Sequence, residues 1–377
     1  MTAAPVPARG LRVLVDAYWW FEGPPSNRMV QRELVRAWRA AHPQDELVPV
    51  VPVAHLERSR RDPELGAARA AQVRPHGLAV ELEYGRLARR VAADAVLTHN
   101  FAPRGRAAAR TTVFCHDVLF QDHGEWFTWA ERRYLSLVAP GLARAAAVVT
   151  SSAQEAAHVH GLNPRVRAVD AIGLAPEPAL LGAAPRRPAR LPRVRGFWLS
   201  VGRLNVRKNL GTTVLAALRS GRVSPDRPLV VVGEQDGRRP GLPGEVEPAV
   251  RSGAVVLLGG VAVEELAWLY RNAEVFLFLS LAEGYGLPPV EALALGCPVV
   301  VSDLPVFRET LGRHAVRVDP RDVDAVATVL REWQAPPRPV RWDAPGWEGP
   351  ARGLREVVRA TVDAAARGAG ESGVGPG

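Results

Sequence analysis

Glu283 and Glu291 are two carboxylates with seven residues between them, enclosing Gly284-Tyr285-Gly286-Leu287-Pro288-Pro289-Val290. Gly284 and Gly286 let the backbone approach a ligand closely, and Pro288 and Pro289 suit a first helical turn, where a missing N–H costs little. The helix start that follows offers unpaired amides to an anion, whereas carboxylates accept hydrogen bonds from vicinal sugar hydroxyls. A second feature lies upstream in Val201-Gly202-Arg203-Leu204-Asn205-Val206-Arg207-Lys208-Asn209. Lys208 is the only lysine of the chain; every other one of the 48 Lys plus Arg residues is arginine. An ammonium is a compact three-donor charge and a guanidinium a planar fork, so the two are not equivalent where a cation must point at a phosphate oxygen from close range. Arg203 and Lys208 therefore read as a diphosphate clamp; the plainer alternative for an isolated GRxxxxK is a solvated basic loop. A third feature, Cys115-His116-Asp117, follows a buried strand and places an imidazole at a strand's carboxyl end, although a lone His is more often structural.

These residues need elements to hold them. Short β-branched runs alternate with helical stretches, the pattern of parallel sheets covered by helices on both faces. The expected strands of the first half are Leu11 to Asp16, Leu47 to Val53, Ala95 to Thr98, Thr111 to Cys115 and Ala147 to Thr150. Those of the second are Phe197 to Val201, Leu229 to Val232, Val255 to Leu258, Val275 to Leu279, Val299 to Ser302 and Ala315 to Val318. Between them, Pro176, Pro178, Pro185, Pro188 and Pro192 mark residues 174–195 as a linker. The expectation is an α/β chain of two doubly wound domains, 1–173 and 196–346, facing each other across a cleft. Ligands of such sheets bind beyond the carboxyl ends of the strands. A Gly-rich stretch, 368–377, reads as a disordered tail.

Composition narrows the classes. At 377 residues, 47% hydrophobic and 23% charged, the chain is ordinary globular material with room for two cores. Cys115 and Cys297 are the only cysteines, which argues against a disulfide framework and fits a reducing, cytoplasmic compartment. The longest apolar runs are strand length, far short of the ~20 residues a spanning helix needs, and the Ala/Pro-rich opening does not read as a secretory signal. The net charge of +9 comes from arginine scattered over both halves, without the basic, aromatic-interleaved blocks of a nucleic-acid binder. Contact with an anionic membrane surface fits better. Arg86, Arg89 and Arg90 form one basic helical face. Trp126, Phe127 and Trp129 with Arg132, Arg133 and Tyr134 could form a rim for a glycan or lipid-linked acceptor, or simply pack a helix.

On these motifs the chain resembles the family 4 glycosyltransferases of GT-B fold, over nearly its whole length. The resemblance is carried by the E-x7-E signature in the form EGYGLPPVEALALGCPVVVSD, by VGRLNVRKN before it, and by His116-Asp117 of an HD-like region. Trp347-Glu348 with Ala351-Arg352 is similar to the start of a closing helix, about 347–367, that packs back on the first domain. The resemblance implies a retaining transfer of a hexose from a nucleoside diphosphate sugar to an acceptor hydroxyl, without a metal or other cofactor. Arg203 and Lys208 would hold the donor diphosphate beside Gly202. Glu291 would take the ribose hydroxyls and Glu283 the transferred sugar, with Gly284 and the amides of Tyr285, Gly286 and Leu287 touching sugar or phosphate. His116 would lie against the reacting sugar. Acceptance on the same sugar face, with the phosphate itself helping to take the acceptor proton, needs no protein nucleophile. The HDVLF and EGYGLPP segments are similar to those of bacterial polysaccharide mannosyltransferases, which makes GDP-mannose the favoured donor.

The sequence also departs from that family. A Gly-rich loop often follows the first strand, whereas this chain reads Glu22-Gly23-Pro24-Pro25-Ser26-Asn27-Arg28, so Gly23 and Asn27, with Asp117 and Trp126, are the weaker acceptor-side expectations. Asp322-Val323-Asp324 superficially matches the DxD metal motif of a different fold, but it opens a helix, and first-turn acids explain it better. A nucleotide-sugar epimerase or a phosphorylase of the same fold, or a non-catalytic nucleotide-sugar sensor, are the alternatives. A phosphorylase would need a cofactor lysine, and Lys208 is the only candidate.

Overall fold

The structure is a computed structural model that describes residues 10–234, 244–334, 336 and 339–371, with the side chains of 368–371 left aside. It divides into two compact units. The first comprises Met1–Val118, Arg133–Leu174 and Trp347–Gly377, and the second Leu119–Arg132 and Ala175–Gly346. Segment 119–132, read from sequence as part of the first domain, groups with the second unit.

The first unit is built on seven strands: β1 (Arg12–Asp16), β2 (Glu46–Pro52), β3 (Arg69–Ala71), β4 (Ala95–His99), β5 (Thr111–Phe114), β6 (Ala147–Thr150) and β7 (Val169–Ala171). All pairings are parallel, in the order β3-β2-β1-β4-β5-β6-β7. The order reverses between β1 and β4, which makes the loops after these strands the crevice of a doubly wound sheet. Helix Glu348–Glu371 packs against helix Pro25–Ala41. Asp45 fixes it there, accepting from Arg355 Nε at 2.6 Å, Trp38 Nε1 at 2.9 Å and the Leu11 N–H at 2.8 Å. This helix runs on to Glu371, so residues 368–371 are helical rather than part of a disordered tail; residues 372–377 lie outside the described residues.

The second unit holds β8 (Trp198–Val201), β9 (Leu229–Val232), β10 (Val255–Gly259), β11 (Val275–Phe278), β12 (Val299–Ser302) and β13 (Ala315–Val318). They pair in parallel in the order β10-β9-β8-β11-β12-β13. Both faces of this sheet are covered, and the alternation of side chains shows it. Leu199, Val230, Phe276, Phe278, Val299 and Val301 enter one core, while Trp198, Leu229, Val231, Val275, Leu277 and Val300 enter the other. A strand buried on both faces has no polar side to display, which is why these strands read as unbroken apolar runs. The Pro-rich stretch 174–195 is not a free linker. It contains helix Pro178–Leu181, and Leu180 and Leu191 sit in the first of those cores at 1% and 2% exposure. Its two leucines anchor it to the unit. Among the described residues no helix is long and apolar enough to cross a membrane.

Candidate active site

In the second unit the order of strands reverses between β8 and β11, and the two motifs lie in the loops that leave these strands. After β8, Gly202 bonds through its N–H to Val232 O at 2.9 Å, and the chain makes a short 3-10 turn, Val206–Lys208. Asn205 caps that turn, its Oδ1 accepting the Lys208 N–H at 3.2 Å. Asn209 then adopts a left-handed conformation (φ 50°), which Asn tolerates better than most residues, and its Nδ2 donates to Pro320 O at 2.8 Å. Helix Leu210–Arg219 follows. The loop after β11 is tied to this one by the Leu281 N–H donating to Arg207 O at 2.8 Å.

Side chains complete the tie. Lys208 Nζ donates to Glu283 Oε1 at 2.6 Å and Arg207 Nη1 to Glu283 Oε2 at 2.7 Å. Arg207 Nη1 also reaches Ala282 O at 3.1 Å, and the ammonium lies 4.4 Å from the centre of the Phe278 ring. Burial opposes the charge of Glu283, but the Arg207 guanidinium and the Lys208 ammonium outweigh it and hold its carboxyl at about 2. Burial pushes Lys208 down to about 8, with Arg207 and Arg203 adding to the push and Glu283 opposing it. Arg203 stands half-buried beside the cluster. One carboxylate meeting two cations leaves the cluster net positive, the electrostatic condition for an anionic ligand. Two of the three Lys208 donors have no partner among the described residues.

Gly286 is the N-cap of helix Leu287–Ala294, with φ 85°. A Cβ there would stand 2.3 Å from Cε1 of Phe307, so both conformation and space demand glycine. Buried Gly284 and half-buried Tyr285 lead into this cap, and Tyr285 packs on the core. Glu291 lies one turn into the helix and accepts from Tyr270 Oη at 3.2 Å. Burial, with Glu177 nearby, pushes its carboxyl up to about 7. The two signature glutamates are thus in opposite electrostatic states, Glu283 firmly ionised and Glu291 balanced near neutrality.

The first unit gathers a second cluster at the carboxyl ends of β1, β4 and β5. His116 bonds through its N–H to Asn100 Oδ1 at 2.9 Å, and its Nε2 lies 3.0 Å from Nδ1 of His99. Asp16, fully buried at the end of β1, accepts from His76 Nε2 at 2.7 Å, Tyr84 Oη at 3.0 Å, the Tyr18 N–H at 3.0 Å and the His99 N–H at 3.2 Å. Burial disfavours its charge, but His76 and these further partners hold its carboxyl at about 2. Trp19 lines the cluster, 5.8 Å from the His116 ring and 4.6 Å from that of His76. Gly23 (φ 120°) makes room for that indole, because a Cβ would meet Trp19 Cδ1 at 2.7 Å.

The structure brings Gly202, Lys208, Glu283, Gly284, Tyr285, Gly286, Leu287 and Glu291 onto two neighbouring loops and one helix, and Arg203 beside them. It shows Lys208 bound to Glu283, a pairing absent from the sequence reading, and adds Arg207 and Tyr270. Of the acceptor-side expectations, Gly23 packs on Trp19, Asn27 is half-buried in helix Pro25–Ala41 and Asp117 follows His116. Trp126 stands apart from these. It belongs to the second unit, where it stacks on His123 at 3.9 Å. Trp129 is 73% exposed, whereas Tyr134 packs in the first unit with its Oη accepting the Gly77 N–H at 2.9 Å. Asp322 caps helix Val323–Arg331 by accepting the Ala325 N–H at 2.8 Å, the first-turn role expected of the Asp322-Val323-Asp324 run.

Residues 186–341 match the family model of the glycosyl transferases group 1. The O-antigen chain mannosyltransferase B of Escherichia coli is 34% identical over 160 residues, 40% of this chain and 42% of that protein, so the aligned segment spans less than half of its length. Sucrose-phosphate synthase from Thermosynechococcus elongatus superposes over 96% of this chain and 98% of its own with a TM-score of 0.63 and 19% identity. WaaG, a glycosyltransferase involved in lipopolysaccharide biosynthesis, covers 94% of this chain and 98% of its own with a TM-score of 0.59 and 16% identity. Residues 186–341 thus resemble the glycosyl transferases group 1 in a chain whose fold is the GT-B fold, and the chain is similar in sequence to a mannosyltransferase of O-antigen assembly.

Proposed function

We propose that this chain is a retaining glycosyltransferase that moves a hexose from a nucleoside diphosphate sugar to a hydroxyl of a glycan, lipid-linked or small-molecule acceptor. The observation that carries the reading is the cationic cluster of Arg203, Arg207 and Lys208, organised by Glu283, beside the helix start at Gly286. The reaction expels a diphosphate while positive charge grows on the anomeric carbon, so stabilising the departing anion is the main task. Preorganised donors serve this better than mobile ones, and one such donor is worth roughly a hundredfold or more in rate. Glu283 fixes Lys208 in place and leaves two of its N–H groups for phosphate oxygens. The Leu287 N–H, the one amide hydrogen in the first three residues of helix Leu287–Ala294, adds its partial positive charge. These groups supply the charge that a metal supplies elsewhere. Glu291 binds the ribose hydroxyls, Glu283 touches the transferred sugar, and His116 lies against it.

Mannose is the favoured sugar, with GDP-mannose as donor, on the strength of the mannosyltransferase relative. Peripheral contact with a membrane carrying the acceptor is part of the proposal, through exposed Trp129 with Arg132 and Arg133. Sedimentation with anionic vesicles tests that part, and no binding at low salt removes it. The activity is tested by thermal shift against a panel of nucleotide sugars, followed by an assay of slow hydrolysis of the best binder. Absence of both stabilisation and hydrolysis across the panel overturns the reading.

A further inference from the structure

His99 ends β4, His116 follows the adjacent β5, and the two meet nitrogen to nitrogen, Nδ1 to Nε2, at 3.0 Å. Their ring centroids are 5.2 Å apart and their planes differ by 22°. Two five-membered rings joined through one nitrogen of each would give this separation, so the contact is an in-plane hydrogen bond rather than a face-to-face stack. One proton lies between the two nitrogens, and one ring must donate while the other accepts. Burial pushes His99 down to about 4 and His116 well below its ordinary value, so both rings are neutral near pH 7 and each holds one tautomer.

Both rings are packed and both backbones are tied down. The His99 ring packs against Phe114 at 5.6 Å and Trp19 at 6.1 Å, and its backbone N–H donates to Asp16. The His116 ring packs against Phe114 at 4.8 Å and Trp19 at 5.8 Å, and its backbone N–H donates to Asn100 Oδ1. The direction of the bond follows from the preference of neutral histidine for the proton on Nε2. If His116 donates, both rings are in that preferred form; if His99 donates, both are forced into the Nδ1–H form. The Nδ1 of His116 has no partner among the described residues.

We infer that His99 is a positioning residue, which holds His116 with its Nε2–H turned onto His99 and its Nδ1 lone pair presented to accept a hydrogen bond from a hydroxyl of the bound sugar. The identity of that hydroxyl rests on the transferase reading; the pair and its tautomer do not. A neutral acceptor in this place discriminates for a hydroxyl and against a ligand oxygen that lacks a proton.

The test uses the full chain labelled with nitrogen-15 in histidine, with the His116 signals assigned by their loss in His116→Gln. Long-range nitrogen–proton correlation is expected to show His116 protonated at Nε2 and bare at Nδ1. A proton on Nδ1, or averaged tautomers, overturns the inference. In His99→Phe the tautomers should average, and kcat for hydrolysis of the best nucleotide sugar should fall about tenfold with little change in KM, as expected for lost orientation. His99→Asn places a carbonyl oxygen near the position of Nδ1 and should restore most of kcat. An unchanged kcat in His99→Phe, or no restoration in a folded His99→Asn, overturns the positioning role. If the wild type hydrolyses no nucleotide sugar, the transferase reading fails while the nitrogen-15 measurement still decides the tautomer. That measurement also decides it if His99→Phe does not fold.

Discussion

Lys208 and Glu283 meet at 2.6 Å although 75 positions separate them in the chain. The pair joins the loop after β8 to the loop after β11, the two loops that diverge where the order of the second sheet reverses. An isolated buried pair of this kind contributes little net stability, because desolvating both charges offsets most of their attraction. Its value is positional: the ammonium is held where two more of its donors can be used.

Removing that ammonium while keeping its length, Lys208→Met, should weaken nucleoside diphosphate binding about 10- to 100-fold. A charge-assisted hydrogen bond is worth about 1.5–3 kcal/mol, which sets that range. Titration calorimetry with the diphosphate checks it, and unchanged affinity removes Lys208 from the clamp. Lys208→Arg asks whether charge alone suffices. The planar guanidinium must share the space between Phe278 and Gly202 that the ammonium stem now fills, so weaker binding than wild type is expected.

Glu291 couples function to stability through pH. Its carboxyl titrates near 7 in the folded chain against an ordinary 4.5. Between these values the folded state keeps a proton that the unfolded state has lost, so stability falls as pH rises through the window and the loss is complete above it. The difference corresponds to about 3 kcal/mol. Glu291→Gln removes the titration and should stabilise the protein by up to that amount at pH 8, with little effect at pH 4. Donor affinity should fall in the same variant, since an amide replaces a carboxylate opposite the ribose. Urea denaturation at both pH values decides the first half, and an equal change in stability at each would sink it.

Much of this was legible before any coordinates. The apolar runs located eleven of the thirteen strands, because burial on both faces leaves no polar interruption to blur them. The two missed strands, Arg69–Ala71 and Val169–Ala171, are three-residue edges with a single buried position between them, too short to carry a period. Lys208 stood out by its type, while Arg207 did not, since one more arginine carries no contrast in a chain of arginines. Asp16 and His99 were hidden differently. Asp16 ends a strand read as apolar and His99 lies one residue past another, Ala95 to Thr98, and only the pairing of β1 with β4, which are not consecutive in the sequence, brings Asp16 to the two histidines.

Gly286→Ala tests the helix start that faces the cationic loop. The left-handed backbone alone costs an alanine about 1–2 kcal/mol. Contact of the new Cβ with Phe307 at 2.3 Å adds an overpacking cost of about 1–3 kcal/mol. Gly253→Ala is the matched control, left-handed with φ 83° and only an ordinary contact at 3.8 Å from its Cβ, and should show the backbone cost alone. Denaturant midpoints that drop equally in the two variants would show that Phe307 yields without cost, and the demand for glycine at 286 would then be conformational only.

The Pro-rich segment gives the sharpest contrast between a linker and a packed strap. Leu191 is 2% exposed among the second unit's core residues, with Phe197 and Tyr270 in the same cluster. Leu191→Ala should therefore cost about 2–5 kcal/mol, the range for a buried leucine whose site cannot fully collapse. Arg193→Ala, two positions on and exposed, should stay within about 0.5 kcal/mol of wild type. A flexible linker would make the two substitutions alike. Leu191 shares its core with Phe278, Tyr270 and Phe307, which meet Lys208, Glu291 and Gly286, so if the strap only packs the core its loss should lower the unfolding midpoint while leaving nucleoside diphosphate affinity intact. A loss of affinity in folded Leu191→Ala would instead mean that the strap helps to set the loops after β8 and β11.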